Sequence, residues 1–307
     1  MNLSENDNVI FESAKADFLD AKYHQTIKKI DDLRRQNGDQ YDFLLLQARA
    51  YTKLADIQTA VELIDDAGTE NLRPGDVTFA VKTLLADKQF IPARKVTVVL
   101  DHQYAKELIT QIETAEFKFK KYHREEVMKL QRRLFYIGSH SADVQAKIVS
   151  EANRLPLAEY LEGVKAVLID RAGWQVIKTQ FLFELIGLKI DDQIDLLWLD
   201  DKIHQVIPAN IDIADSVQPI IETINVVDEK FANDDPIFAQ QLSAQIYQLG
   251  NYLFPYAEDV IINSDDWIKI IQSYLAGDEF APNTESGAVM LSWFEIILNQ
   301  EQRIKYM

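Results

Sequence analysis

The stretch YDFLLLQARAYTKLADIQTAVELIDDAGTENLRP, residues 41–74, decides the fold. It reads as two amphipathic helices separated by a tight turn, with Leu44, Ala48 and Tyr51 in the first helix and Ala60 and Ala67 in the second. A large, a small and an aromatic residue followed by small ones suit a close helix crossing: the small side chains let two backbones approach and the aromatic fills the hole beside them. Pro74 closes the unit.

Working outward, a shift of 34 places Ala14 on Ala48 and Thr26 on Ala60, so residues 8–40 form a degenerate copy. A forward shift of 33 places Leu84 on Tyr51 and Ala93 on Ala60, so 75–108 form a third. The 34-residue period and the positions of its small, aromatic and proline residues resemble the tetratricopeptide repeat, the middle copy most closely. Further on, the order of elements resembles bacterial tetratricopeptide-repeat proteins of the Firmicutes type: repeats, a helix pair, a hairpin closing in HQVIPANI, then DDPIFAQQLSAQIYQLGNYLFPYAEDV. That resemblance implies an architecture and a cytoplasmic setting, and brings no catalytic residues with it.

From about 103 to 136 the chain lacks proline and glycine and keeps an apolar stripe at Leu108, Ile112, Phe119, Val127, Leu130 and Leu134, which predicts one long helix. Gly138 and Ser139–Ser141 end it, and the domain boundary is placed there. The second half reads as helices at 143–154, 156–170, 173–187, 216–232, 236–253, 264–276 and 286–302, with Asp235 and Ser264 as caps. Between them DQIDLLWLDDKIHQVIP alternates, which predicts a β-hairpin at 193–199 and 202–207 with Ile194, Leu196 and Trp198 on one face and Ile203, Gln205 and Ile207 together on the next strand. The fold class is therefore all-α: a short helical-hairpin array at 1–137, then an acidic helical domain at 138–307 with one small hairpin near 193–207.

Composition narrows the function. The chain has 307 residues, no cysteine, 10 glycines and 8 prolines, so disulfides, thiolate metal sites and a cysteine nucleophile are excluded. The opening MNLSENDNVIFES lacks the basic and apolar regions of a leader, and no apolar run reaches membrane-spanning length, which points to the cytoplasm and away from membranes. Net charge is −17: residues 1–150 carry 22 basic and 23 acidic side chains, residues 151–307 carry 10 and 26. Such a charge disfavours nucleic acid as a partner of the whole chain.

No Gly-rich phosphate loop and no HExxH appears, and the histidines at 24, 102, 123, 140 and 204 are scattered, so neither a metal nor a cofactor is expected. Six Asp–Asp pairs occur. Those at 234–235 and 265–266 sit at helix starts and that at 200–201 in the turn, which makes them caps and turn formers rather than paired catalytic acids. The segment KFKKYHREEVMKLQRR carries Lys118, Lys120, Lys121, Arg124, Lys129, Arg132 and Arg133 against two acids. It reads as a solvated helix face with a Glu125–Lys129 pair, as a surface for RNA, DNA or an acidic protein, or as a face that docks on the acidic half.

The tetratricopeptide resemblance implies that the first helix of each pair lines a concave groove. Its ninth positions are then Lys15, Arg49 and Lys82, all basic, with Phe11, Phe18, Asp42, Leu45, Lys53 and Leu85 as neighbours. The expectation is a non-catalytic interaction protein whose basic groove takes a carboxylate-bearing peptide, with Arg49 able to grip it in bidentate fashion. The fifth positions, Phe11, Leu45 and Thr78, lack the Lys and Asn of chaperone-tail binders. An RNA- or DNA-associated protein and an enzyme or metal binder in the acidic half are the alternatives.

Overall fold

The computed structural model describes residues 3–69 and 72–305, the side chains of 303–305 aside. Among them are fifteen α-helices and one two-stranded antiparallel sheet. Two compact units form. The first comprises the chain up to Gln131 together with Glu151–Tyr160, and the second Arg132–Ser150 together with the chain from Leu161 onward. In place of a single cut at 138, the segment Glu151–Tyr160 belongs with the first unit. Its backbone is held there by Ile91 N–H donating to Asn153 O at 3.1 Å and Leu157 N–H donating to Glu116 Oε1 at 3.3 Å.

The first unit opens with three antiparallel helix pairs: α1 (Glu5–Leu19) with α2 (Tyr23–Asn37), α3 (Tyr41–Lys53) with α4 (Ile57–Asp66), and α5 (Pro74–Ala86) with the short α6 (Phe90–Lys95). The small residues do what their spacing demands. Ala14, Thr26, Ala48, Ala60 and Ala93 are all fully buried, and Thr26 Oγ1 donates across the first crossing to Ala14 O at 3.3 Å.

The turns repeat as well. Ala21, Ala55 and Lys88 each adopt a left-handed backbone, with φ of 60°, 63° and 61°, and stand 34 and then 33 residues apart. In each turn the next N–H returns to the carbonyl five residues back: Lys22 to Asp17 at 2.8 Å, Asp56 to Tyr51 at 3.0 Å and Gln89 to Leu84 at 2.8 Å. These bonds satisfy carbonyls that a helix end leaves bare. The third pair is truncated. Past Lys95 the run Val96–Thr97–Val98–Val99 is β-branched, and Thr97 Oγ1 bonds Arg94 O at 2.7 Å, which diverts the backbone from helix.

The long helix expected at 103–136 is two, α7 (His102–Tyr122) and α8 (Arg124–Phe135), broken at His123, whose φ of −126° and ψ of 37° are not helical. Its ring stacks on Phe119 with centroids 5.0 Å apart. Arg94, from α6, makes a bidentate pair with Glu116 of α7 at 2.8 and 2.7 Å, nearly out of water.

In the second unit lie α9 (Ala142–Ala152), α10 (Leu157–Leu168), α11 (Gln175–Gly187), α12 (Ile213–Phe231), α13 (Pro236–Leu253), α14 (Ser264–Ala276) and α15 (Glu285–Lys305), the first two shared in part with the first unit. Asp235 caps α13 by accepting from Phe238 N–H at 3.0 Å. The cap of α14 is Asn263 rather than Ser264, because Asn263 Oδ1 accepts from Asp266 N–H at 3.0 Å. A Cβ on Gly250 would stand 2.6 Å from the Ile220 Cδ1, so α12 and α13 pack closely there and a larger residue would require the Ile220 side chain to move.

The hairpin is shorter than expected, β1 (Ile194–Leu197) and β2 (Ile203–Val206), with Ile194 opposite Val206 and Leu196 opposite His204. Cross-strand partners share a face. Val206 and the half-buried His204 therefore lie on the side of Ile194 and Leu196, and Ile203 is 60 % exposed.

If the crossings are closely packed, Ala60→Leu lowers stability by about 1–3 kcal/mol, whereas Ala86→Leu on the exposed end of α5 stays within about 0.5 kcal/mol. Urea unfolding followed by far-ultraviolet circular dichroism reads both, and equal midpoints would refute close packing at Ala60.

Candidate functional site

The first helices of the three pairs, with α7 following them, border two hollows. One, of about 330 Å³, lies between α1 and α3 and brings together Phe11, Lys15, Asp42, Leu45 and Arg49, five of the residues expected to line a groove. The other, of about 440 Å³, lies between α5 and α7 and holds Lys82 with Thr78, Val99, Leu100 and Tyr104. Lys82 is thus in a different hollow from Lys15 and Arg49. Lys53 is exposed and lines neither, Leu85 packs against the core, and Phe18 meets the Tyr23 ring edge-on at 5.5 Å.

Charge corrects the picture of a basic groove. Glu12, Asp42 and Asp76 line the first hollow and outnumber its two cations. Lys15 Nζ is 2.7 Å from Glu12 and 4.3 Å from the Phe11 ring centre. Arg49 Nη2 donates to Asp76 Oδ1 at 2.5 Å while its guanidinium lies over Phe79 at 4.3 Å. Asp76 also accepts from Tyr41 OH at 2.8 Å, and Arg73 makes a bidentate pair with Asp42 at 2.6 and 3.2 Å. Arg49 is therefore part of a clasp between α3 and α5 and not a vacant carboxylate fork. No register within one helix reveals this, because Asp76 lies 27 residues further along.

The second hollow differs. Lys82 is exposed and carries no ion pair among the described residues, and beside it Val99 and Tyr104 are 41 % and 71 % exposed. Asp101 and Glu107 line the α7 side.

On α7 and α8, Lys118, Lys120, Lys121, Arg124, Lys129 and Arg132 are exposed, and Arg133 is half-buried and partnered. Lys120 pairs with Glu159. The expected Glu125–Lys129 pair does not form among the described residues. Both side chains are exposed, and an i,i+4 pair gains only about 0.3–0.5 kcal/mol, less than the freedom two long side chains lose in making it.

The second unit holds polar groups that the sequence did not single out. Asp200 accepts from the Lys202 N–H at 3.1 Å and holds His204 Nε2 3.0 Å from both carboxylate oxygens; burial works to raise its pKa, but these partners together hold it below the usual carboxylate range. His204 also packs against Tyr256, with centroids 4.9 Å apart. Lys178 is 3 % exposed and donates to Leu197 O at 3.0 Å. Burial pushes its ammonium down to about 8, against the opposing pull of Asp170 and Asp201. The one sequence signal was a lysine on the stripe shared with Gln175, Leu182 and Leu185. Among the described residues no three His, Asp or Glu converge on a metal position.

Lys178 makes stability depend on pH. Between about 8 and its ordinary value of 10.5 the unfolded chain binds a proton that the folded chain does not, so stability rises with pH across that window. All four tryptophans lie in the second unit, at 174, 198, 267 and 293, so their fluorescence follows its unfolding. Urea midpoints from about pH 7 to 9.5 should favour wild type over Lys178→Met by about 2 kcal/mol more at the upper end. A pH-independent difference would show that Lys178 titrates normally.

Compared with protein families, with curated proteins and with solved structures, the chain matches none.

Proposed function

We propose that this chain is a non-catalytic recognition protein whose N-terminal helix pairs are tetratricopeptide-type repeats, and that the hollow between α5 and α7 receives an apolar peptide segment bearing a carboxylate. The observation that carries the reading is Lys82: an exposed cation without an ion pair among the described residues, on the wall of a hollow edged by exposed apolar side chains. A peptide carboxylate placed there gains a charge-assisted contact, and its neighbouring side chains cover Val99, Leu100 and Tyr104. Asp101 and Glu107 repel that carboxylate from the α7 side and so keep it on the α5 wall.

The hollow between α1 and α3 supports this reading less, since a carboxylate arriving there competes with Glu12 and Asp76 for cations already engaged. The lack of cysteine, and among the described residues of any helix long and apolar enough to cross a membrane, fits the cytoplasmic setting that belongs to the same reading.

Random peptides displayed on phage and selected on the full chain provide the probe. Selected peptides should carry Asp, Glu or a free C-terminus next to an apolar residue. Calorimetric affinity for a synthesised winner should fall by about tenfold or more in Lys82→Glu and in Tyr104→Ala, and stay level in Lys53→Glu, outside both hollows. Winners that bind Lys82→Glu as tightly as wild type would refute the assignment.

A further inference from the structure

Cations of the first unit fall into two groups. Lys15, Lys22, Lys29, Arg34, Arg35, Arg49, Arg73, Lys88, Arg94 and Lys120 all hold an acidic side chain. Lys28, Lys53, Lys82 and Lys106 hold none among the described residues and stand apart along the chain, whereas Lys118, Lys121, Arg124 and Lys129 hold none there either and crowd into one short run astride the break between α7 and α8. The acids nearby offset them only in part: Glu159 is held by Lys120, Glu126 faces Lys88 at 3.7 Å and Arg154 at 3.1 Å, and Glu125 alone stands exposed and unpaired among the four cations. Among these cations stand Phe117 and Tyr122, 66 % and 70 % exposed, and Lys121 Nζ lies 5.3 Å from the Tyr122 ring centre. Leu108, Ile112 and Phe119 occupy the opposite, buried side of α7, so Phe117 and Lys121 point away from the core.

We propose that this face binds single-stranded nucleic acid, with Phe117 and Tyr122 as platforms for unstacked bases and Lys118, Lys121, Arg124 and Lys129 along the phosphates. The chemistry selects this occupant among polyanions. Rings standing singly between cations suit bases that splay apart, and every base has a face to stack. A duplex keeps its bases stacked inside and offers those rings nothing. An anionic membrane needs a continuous apolar strip to insert, and on α7 that strip is already in the core. The negative charge of the remaining chain acts weakly at this range, because at about 0.15 M salt fields fade over about 8 Å. The inference is independent of the peptide hollow, whose lining shares none of these residues.

Anisotropy of fluorescein-labelled oligouridylate titrated with the full chain tests it. Binding should be present at low salt and weaken with a log–log salt slope near −3, about 0.7 for each of four phosphate contacts. A variant with Lys118, Lys121, Arg124 and Lys129 all changed to Gln should bind about a hundredfold more weakly, with the slope near zero. Phe117→Ala and Tyr122→Ala should each cost about tenfold and leave the slope unchanged, which separates stacking from charge. All six positions are exposed, and circular dichroism confirms that each variant keeps its helices. No binding at about 0.05 M salt, a charge variant that binds like wild type, or ring variants that bind like wild type would each overturn the proposal. So would phosphatidylserine vesicles or polyglutamate competing as well as unlabelled oligouridylate.

Discussion

Close backbone approach within each helix pair is the constraint from which the rest of the first unit follows. Ala14 against Thr26 and Ala48 against Ala60 leave no side-chain volume at the crossings, and the left-handed residue in each turn fixes how the second helix returns on the first. Once two pairs are set this way, the first helices stand side by side and direct a fixed set of positions outward. The hollows are what remains between those helices. They depend on main-chain geometry at buried alanines more than on the residues that line them.

The same constraint explains why much of the array was legible. Hairpin turns and small crossing residues are local, and they recur at 34 and 33 residues in the backbone as in the sequence. What could not be read was set by partners far along the chain. Arg49 meets Asp76 and Arg94 meets Glu116, contacts that no helical period announces. The break at His123 arises without proline or glycine, and α6 stops short because β-branched residues and Thr97 divert the backbone after Lys95. The hairpin was legible from its alternation, but its register was not: pairing places His204 beside Leu196 and leaves Ile203 exposed. Of the candidate site, Phe11, Lys15, Asp42, Leu45 and Arg49, spaced by the repeat, line one hollow. Lys82 was separated from them because its hollow is completed by α7, which lies outside the repeat.

Counting charge by segment misleads for a related reason. The first 150 residues are nearly neutral in sum, yet the structure sorts their cations by availability. Several in the array hold it together: Arg49 and Arg73 join α3 to α5, and Lys29, 2.5 Å from Asp17, joins α2 to α1. A partly buried pair of this kind is costly to break, because the remaining member keeps its desolvation without its partner. Such cations are poor candidates for ligand binding however well they fall on a groove register.

Free charge is what a ligand can use; within the array Lys28, Lys53 and Lys82 carry it singly, and it is concentrated where the repeat pattern ends. Along α7 and α8 exposed cations outnumber the acids beside them, and the exposed rings of Phe117 and Tyr122 stand among those cations. Exposed aromatic rings are disfavoured on a surface that only needs hydration, and an unpaired lysine beside them does nothing to hide them. Lys82 beside Val99 and Tyr104, and Lys121 beside Phe117 and Tyr122, share that combination of apolar area and unspent charge. In both places the side chains cannot satisfy one another, so the structure leaves two surfaces complementary to groups that this chain does not itself provide.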